Sequence, residues 1–352
     1  MKKELMAGWG PVIEVWEGYA CDPSIRKSGS SGGAATALAD FTLAKKGFSG
    51  VLHTNARKDV PYLNETVLSK TRDELISATG SRYAPASPCD GLELVMDEKQ
   101  PITFIGKPCD VAAVRKAMKS NSELARKIGL TIAFFCAGTP STKGTLELLK
   151  KAGVQDPSTV HSVRYRGNGW PGMWTVQYST AAGEDESTEM TYAESWGFLQ
   201  KYRQWRCYIC PDHTGEFADI SVGDPWYRDV EEGEPGKSLI VARTEKGRDF
   251  ILEAEKSGFL ILEKRDTTLL PKSQPNLLGS RGNIWPRLII LRLFGAAVPK
   301  YVGFTFFRFW RDELTWTEKR QSIIGTIVRV FKKRLNKRID IKRTAHLEDR
   351  QD

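Results

Sequence analysis

Four cysteines, Cys109, Cys136, Cys207 and Cys210, have the type and spacing to do chemistry together. Cys207-Tyr208-Ile209-Cys210 is a CxxC pair, which suits a redox dithiol, half of a zinc site, or two ligands of an iron–sulfur cluster. A redox dithiol usually opens a helix, whereas Pro211, Asp212 and Gly215 follow here and favour a turn, so metal ligation is the better reading. Cys109 and Cys136 each follow an apolar, strand-like run and complete a set of four. A helix starting just after Cys109 would favour its thiolate. Zinc and a [4Fe–4S] cluster both accept four thiolates. One local pair with two distant single residues leans weakly to the cluster, but spacing alone leaves both open. Cys21 and Cys89 read as small buried apolar residues.

A second group of residues suits a phosphate. The loop Ser28-Gly29-Ser30-Ser31-Gly32-Gly33 supplies small residues and backbone N–H groups at the start of a helix. It lacks both the GxGxxG and the GxxxxGK[ST] spacing. Gly80-Ser81-Arg82-Tyr83 adds a cation for a phosphate and a ring that can stack on a base or an isoalloxazine. Together the two segments point to a nucleotide-bearing cofactor. His161 and His213 are acid–base candidates by residue type only, and His213, beside Asp212, reads as structural.

The elements that must position these residues follow an α/β rhythm of short apolar strand, small-residue turn and helix. Residues 32–46 read as a helix and 51–54 as a strand. Strand-like 101–105 leads through Gly106-Lys107-Pro108-Cys109 into a helix over 110–119. Strand-like 130–135 leads through Cys136 to Pro140 into a helix over 143–151. Residues 160–191 read as antiparallel strands, with Tyr165-Arg166-Gly167-Asn168-Gly169-Trp170-Pro171 as an exposed loop. The predicted fold is therefore a mixed α/β (α+β) sheet flanked by helices, an antiparallel portion carrying the CxxC loop, and a basic helical extension. A shift of composition at 271–275 separates a core over 1–275, with a soft division near 90–100, from an extension over 276–352.

A chain of 352 residues, 40% hydrophobic, can bury a full core without disulfides. Its first residues lack the apolar run of a secretory signal, and no stretch reaches the about 18 apolar residues of a membrane span, so a cytoplasmic protein is expected. The net charge of +9 is uneven. Residues 1–280 hold 35 basic and 36 acidic side chains, while 281–346 hold 16 and 4. The near-neutral body gives no support for nucleic-acid binding. In the extension, Ile324, Ile327, Val328, Phe331 and Leu335 fall at helical spacing over 318–338, with Arg329, Lys332, Lys333 and Lys337 largely elsewhere on the wheel. Such a helix either packs on the body with a solvated basic face or makes peripheral contact with an anionic membrane surface or acidic partner.

In order along the chain, Ser30-Ser31-Gly32-Gly33 with Ala34 to Leu38, Gly80-Ser81-Arg82-Tyr83-Ala84-Pro85, Gly106-Lys107-Pro108-Cys109, Phe135-Cys136, and Cys207-Tyr208-Ile209-Cys210-Pro211-Asp212 with Ala218 to Asp224 form a series. The series resembles the coenzyme F420 hydrogenase/dehydrogenase beta-subunit family. The resemblance implies FAD (FMN as the alternative), one [4Fe–4S] cluster in place of zinc, and electron transfer between a hydride carrier or organic substrate, coenzyme F420 among them, and a ferredoxin-like partner. Carried over by position, Ser31, Gly32, Gly33 and Thr36 approach flavin phosphates, and Ser81, Arg82 and Tyr83 line the flavin site. Cys109, Cys136, Cys207 and Cys210 bind the cluster, while Asp219 and Asp224 orient ligands or flavin. Lys107 stands where threonine is common, and the ferredoxin-like cysteine series of larger relatives is absent. The competing expectation is a non-catalytic metal-site adaptor docked through its basic tail.

Overall fold

A computed structural model describes residues 8–229 and 233–337. The chain divides into two units, Met1–Pro275 and Asn276–Asp352. In the first unit the strands are β1 (Glu14–Ala20), β2 (Gly50–Ala56), β3 (Asn64–Ser69), β4 (Ile102–Gly106), β5 (Ile128–Phe134), β6 (Val160–Arg164), β7 (Trp174–Ser179), β8 (Asp185–Met190), β9 (Ile220–Gly223), β10 (Ser238–Ala242) and β11 (Leu260–Arg265). They form an eight-stranded sheet, β11-β1-β10-β9-β5-β4-β2-β3, and a three-stranded sheet, β6-β7-β8. The run β2, β4, β5, β9 is parallel, and the remaining pairs are antiparallel. Parallel neighbours need a crossover, and helices supply it.

The helices used below are α1 (Pro23–Ser28), α2 (Ala34–Lys45), α3 (Pro108–Ser120), α4 (Thr142–Lys151), α5 (Tyr192–Leu199) and α6 (Glu245–Lys256). Alternation along the strands sorts their side chains: Ile105 and Ile132 share one face of the sheet, Phe104 and Thr131 the other. On the first face Leu38 and Phe41 of α2 and Phe250 and Ile251 of α6 pack on Leu130, Ile132, Ile220 and Ile240. On the other, Val111 and Val114 of α3 pack on Leu52, Ile102 and Phe104. Each such side chain contributes about 2 kcal/mol when fully buried. Against the small sheet, Leu148 and Leu149 of α4 and Leu199 of α5 cover Val163, Trp174 and Val176. The CxxC pair lies on the segment that leaves this small sheet through α5, with Cys207 in a short 3-10 turn at Trp205–Ile209 and Cys210 just after it.

Residues 165–171 differ from the exposed loop expected of them. Tyr165, Arg166 and Trp170 are buried. The sequence shows many glycines, which suit either an exposed turn or a backbone forced into unusual angles, and here the second holds. Gly167, Asn168, Gly169 and Gly172 all have positive φ, and Trp170-Pro171 is cis. A Cβ at Gly167 would meet the Ser28 carbonyl at 2.6 Å, so the loop lies directly against residues 28–33.

The second unit contains α7 (Ile284–Leu293), α8 (Phe306–Glu313) and α9 (Trp316–Lys332). Trp285 packs on Phe307 and Trp310 with ring centroids 4.8 and 4.7 Å apart, and Phe294 packs edge-on to Phe331 at 5.2 Å. A capping box of Thr315 and Glu318 starts α9. The helix stops at Lys332, short of the expected 338, since Arg334 adopts a left-handed φ of 52°. Arg338 and the residues after it lie outside the described residues. Among the described residues no helix is long and apolar enough to cross a membrane.

Candidate redox site at the sheet edge

Three adjacent parallel strands deliver the site. β4, β5 and β9 run the same way, and their carboxyl ends lead into Cys109, Cys136 and Asp224. Ligand sites in open α/β sheets form at this edge. Pro108 at the first helical position sets Cys109 in the first turn of α3. The β5–β9 pairing continues as Phe135 N–H donates to Val222 O at 2.8 Å, and a Cβ at Gly223 would meet the Phe135 ring at 2.4 Å.

The CxxC segment is held over Cys136 from both sides. Gln204 N–H donates to Thr139 O and Ser141 N–H to Tyr202 O, both at 3.0 Å. Cys136 N–H donates to His213 O at 2.9 Å, and the His213 ring pairs through Nδ1 with Cys136 O at 2.9 Å. His213 is thus a clamp. The Asp212 carboxylate accepts from the N–H groups of Thr214, Gly215 and Glu216, which fixes the turn after Cys210. Cys207 Sγ accepts from Thr139 N–H at 3.3 Å, and Cys210 Sγ–H donates to Asp212 O at 3.2 Å.

Burial opposes ionisation at Cys136: its thiol is pushed up to about 12 by burial, with Cys109 and Cys207 adding to the rise. The Cys210 thiol is raised by burial and by Cys109 and Cys136. Cys109 was expected to favour its thiolate through the helix end. Cys109 is exposed, and partial desolvation, then Asp110, raise its thiol instead, with Lys107 and Arg206 pulling the other way. Among the described residues no three His, Cys, Asp or Glu side chains converge on a single-ion position. Cys89, read as a small buried apolar residue, packs half-buried against the α3 side of the core; its Sγ–H donates to Asp110 O at 3.5 Å, and its thiol is pushed up to about 11 mainly by burial.

The loop before α2 reaches the same edge, since β1 runs parallel to β9 through the antiparallel β10 between them. Ala20 N–H donates to Gly32 O, Gly32 N–H donates to Ser238 Oγ at 2.9 Å, and Ser31 Oγ–H donates to Lys237 O. A Cβ at Gly32 would meet Gly18 O at 2.6 Å, and one at Gly33, whose φ is +73°, would meet Ile25 O at 2.7 Å. Both glycines are therefore set by close backbone packing. No side chain caps α2, whose first turn holds Ala34, Ala35 and Thr36.

Arg82 and Asp219 take parts that their sequence does not announce. Each nitrogen of the Arg82 guanidinium donates within the protein: Nε to Asn64 Oδ1, Nη1 to Val163 O, Nη2 to Pro61 O and Leu63 O. Asp219 bonds Thr131 in the middle of β5, Thr244 and Arg115, so it latches the opposite end of β9 from Asp224. Ser81 N–H donates to Ser30 Oγ at 2.6 Å, which joins the two cofactor segments. His161 lies exposed on the small sheet beside Ser179 and Asp185.

Arg166 is the residue that sequence reasoning missed. Its guanidinium is buried and makes a fork to Asp224, with Nη1–Oδ2 at 3.0 Å and Nη2–Oδ1 at 2.8 Å. It also donates to Ser30 O, to Pro171 O at 2.9 Å and to Tyr83 OH at 3.3 Å. Trp170 Nε1–H completes the Asp224 carboxylate at 2.8 Å. Around this pair stands a wall of rings: Tyr83 on Trp196 at 4.8 Å, Tyr192 stacked on Trp226 at 5.6 Å, and Trp226 on Trp170 at 5.3 Å. The signal was the glycine density after Arg166, taken for exposure.

Fold and site define a mixed-sheet α/β protein whose parallel strands lead into Cys109, Cys136 and Asp224, with the Cys207–Cys210 segment held over Cys136 and buried Arg166 paired with Asp224. The chain belongs to the coenzyme F420 hydrogenase/dehydrogenase beta-subunit family: the family's N-terminal model matches residues 15–92 and its C-terminal model residues 99–268. The F420-dependent formate dehydrogenase 1 subunit beta of Methanococcus maripaludis is 29% identical over 253 residues, 70% of this chain and 60% of that protein. The coenzyme F420 hydrogenase subunit beta of Methanothermobacter thermautotrophicus is 24% identical over 281 residues, 76% of this chain and 95% of that protein. A chain of the F420-reducing [NiFe] hydrogenase complex from Methanosarcina barkeri shares the fold, with a TM-score of 0.60 at 22% identity over 79% of this chain and 93% of that one.

Proposed function

We propose that the protein is a flavin- and [4Fe–4S]-dependent oxidoreductase, moving electrons between a hydride carrier or organic substrate and an iron–sulfur partner. The observation that supports this is the meeting at one sheet edge of Cys109 and Cys136, which follow β4 and β5, the Cys207–Cys210 segment hydrogen-bonded over residues 136–141, and a small-residue loop before α2. When bound, a flavin takes up electrons in pairs and hands them on singly, and an iron–sulfur cluster accepts them one at a time. Cys109, Cys136, Cys207 and Cys210 would hold the cluster. A four-thiolate zinc site needs sulfurs about 3.8 Å apart, from Zn–S of about 2.3 Å, whereas a cluster takes its thiolates more widely spaced. Lys107 and Arg206 offset part of the rise at Cys109, and would help hold a deprotonated ligand there.

The first turn of α2, uncapped by any side chain, presents N–H groups of Ala34, Ala35 and Thr36 to an anionic phosphate. The Tyr83, Tyr192 and Trp226 rings offer flat surfaces for a heterocycle, while Arg166 holds Ser30 and Asp224 in place. Ser81 and Arg82 act one step back, tying Ser30 and residues 61–64. FAD is the expected flavin, with FMN as the alternative; F420 is one candidate hydride carrier and a ferredoxin-like protein a candidate partner. A reducing cytoplasm keeps such thiols available. Anaerobic purification tests the reading: flavin absorbance with iron and sulfide supports it, and zinc without flavin replaces it with the adaptor.

A further inference from the structure

The α9 helix of the second unit turns its apolar stripe outward. Its buried residues are Ser322, Thr326 and Val330, whereas Ile324, Val328 and Phe331 are 46%, 55% and 59% exposed. At 100° per residue the two sets lie on opposite sides of the helix. Small polar residues therefore face the unit's interior. Ser322 accepts from Trp310 Nε1–H at 3.3 Å, and Thr326 Oγ1–H donates to Ser322 O at 2.6 Å, so this inward arrangement is satisfied in place. Leu293, at the end of α7, is 74% exposed, and the next residue, Phe294, packs its ring on Phe331.

The charges around the stripe are of one sign. Arg320 and Lys332 flank it on the wheel and are exposed, and Lys333 and Arg334 follow at the helix end. The one acid of α9, Glu318, accepts hydrogen bonds from Thr315 N–H and Oγ1–H in the capping box. Asp312 of α8 is paired with Arg311. A core-facing helix would bury Ile324, Val328 and Phe331, and a purely solvated one would not string them at i, i+4 and i+7.

We propose that α9 docks in the plane of an anionic lipid surface, with Ile324, Val328, Phe331 and Leu293 entering the acyl boundary and Arg320, Lys332, Lys333 and Arg334 contacting phosphate headgroups. The two interactions suit each other, since apolar burial and basic attraction together give stable attachment where either alone is marginal. The proposal is independent of the redox reading, since no residue of the sheet edge takes part.

The test is sedimentation of the full chain with vesicles of phosphatidylcholine alone or mixed with phosphatidylglycerol. Binding to the mixed vesicles that falls with added salt is expected, with little binding to phosphatidylcholine. Val328→Ser with Phe331→Ser should weaken binding by about tenfold or more, and each of Arg320→Gln and Lys332→Gln by roughly fivefold. These positions are largely exposed, so helical circular dichroism should be unchanged although Phe331→Ser gives up the edge-on contact with Phe294. Equal binding to both vesicle types, or binding indifferent to the serine pair, overturns the proposal. So does a concentration-dependent dimer in analytical ultracentrifugation that Val328→Ser dissolves, which would assign the face to a second copy of the chain.

Discussion

The two clusters at the sheet edge are neighbours with opposite wiring. At the cysteines, burial raises the Cys136 and Cys210 thiols, and desolvation with Asp110 raises that of Cys109, so a metal bound there would have to displace their protons. At Arg166, charge is already matched: a guanidinium and a carboxylate, both inside the fold, satisfy each other and the Ser30 carbonyl. Asp224 is satisfied within the fold by Arg166, whereas the Cys136 and Cys210 thiols are kept protonated. Asp224 and the cysteines fall in the motif series and Arg166 does not, so the motifs alone do not tell the two arrangements apart.

Substitutions sharpen that contrast, beginning with the largest expected effect. Cys210→Ser should abolish bound iron and sulfide in anaerobically purified protein, while Cys21→Ser keeps both; retention by the first variant would remove Cys210 from the ligand set. Arg166→Met strands the Asp224 charge and should lower unfolding stability by about 3–5 kcal/mol, measured in urea. Adding Asp224→Leu should recover much of the loss. If the double variant regains stability but not flavin, positioning by the pair is separated from its contribution to stability.

A pH titration away from both clusters gives the next smaller effect. His53, on β2 against Ser69 Oγ at 2.8 Å, is held down to about 4 by burial. Its folded value lies below the unfolded one of about 6.5, so the unfolded chain binds more protons between those values. Stability should therefore fall as pH drops from about 6.5 to about 4, by at most about 3 kcal/mol, and His53→Gln should flatten that slope in denaturant midpoints. Smallest is Asn168→Gly, at a φ of 58°: a change within about 1 kcal/mol, against a loss above that for Asn168→Val, would confirm the left-handed turn.

Much of this was legible in sequence. Strand, turn and helix around Cys109 and Cys136 follow from local rules, because Pro108 opens α3 and the apolar runs of β4 and β5 read directly. What was not legible depends on partners far along the chain. Whether Arg82 meets a phosphate or the carbonyls of residues 61, 63 and 163 is decided by tertiary packing. Asp219 and Asp224, five residues apart, sit at opposite ends of β9 because a strand carries them there. The helical period of α9 was correct, but periodicity defines a face without saying which side is covered.

Strand β1 lies between β10 and β11, so residues 14–20 find both partners only among residues 238–265. The loop that follows β1 inherits that dependence. On a ribosome, the N-terminal half of the site would wait for nearly the whole first unit to emerge before it could take shape, and pairing of such high sequence separation closes slowly. Cofactor capture should then be a late event in the life of a newly made chain, and a nascent chain halted before about residue 238 should retain no flavin however long it is given.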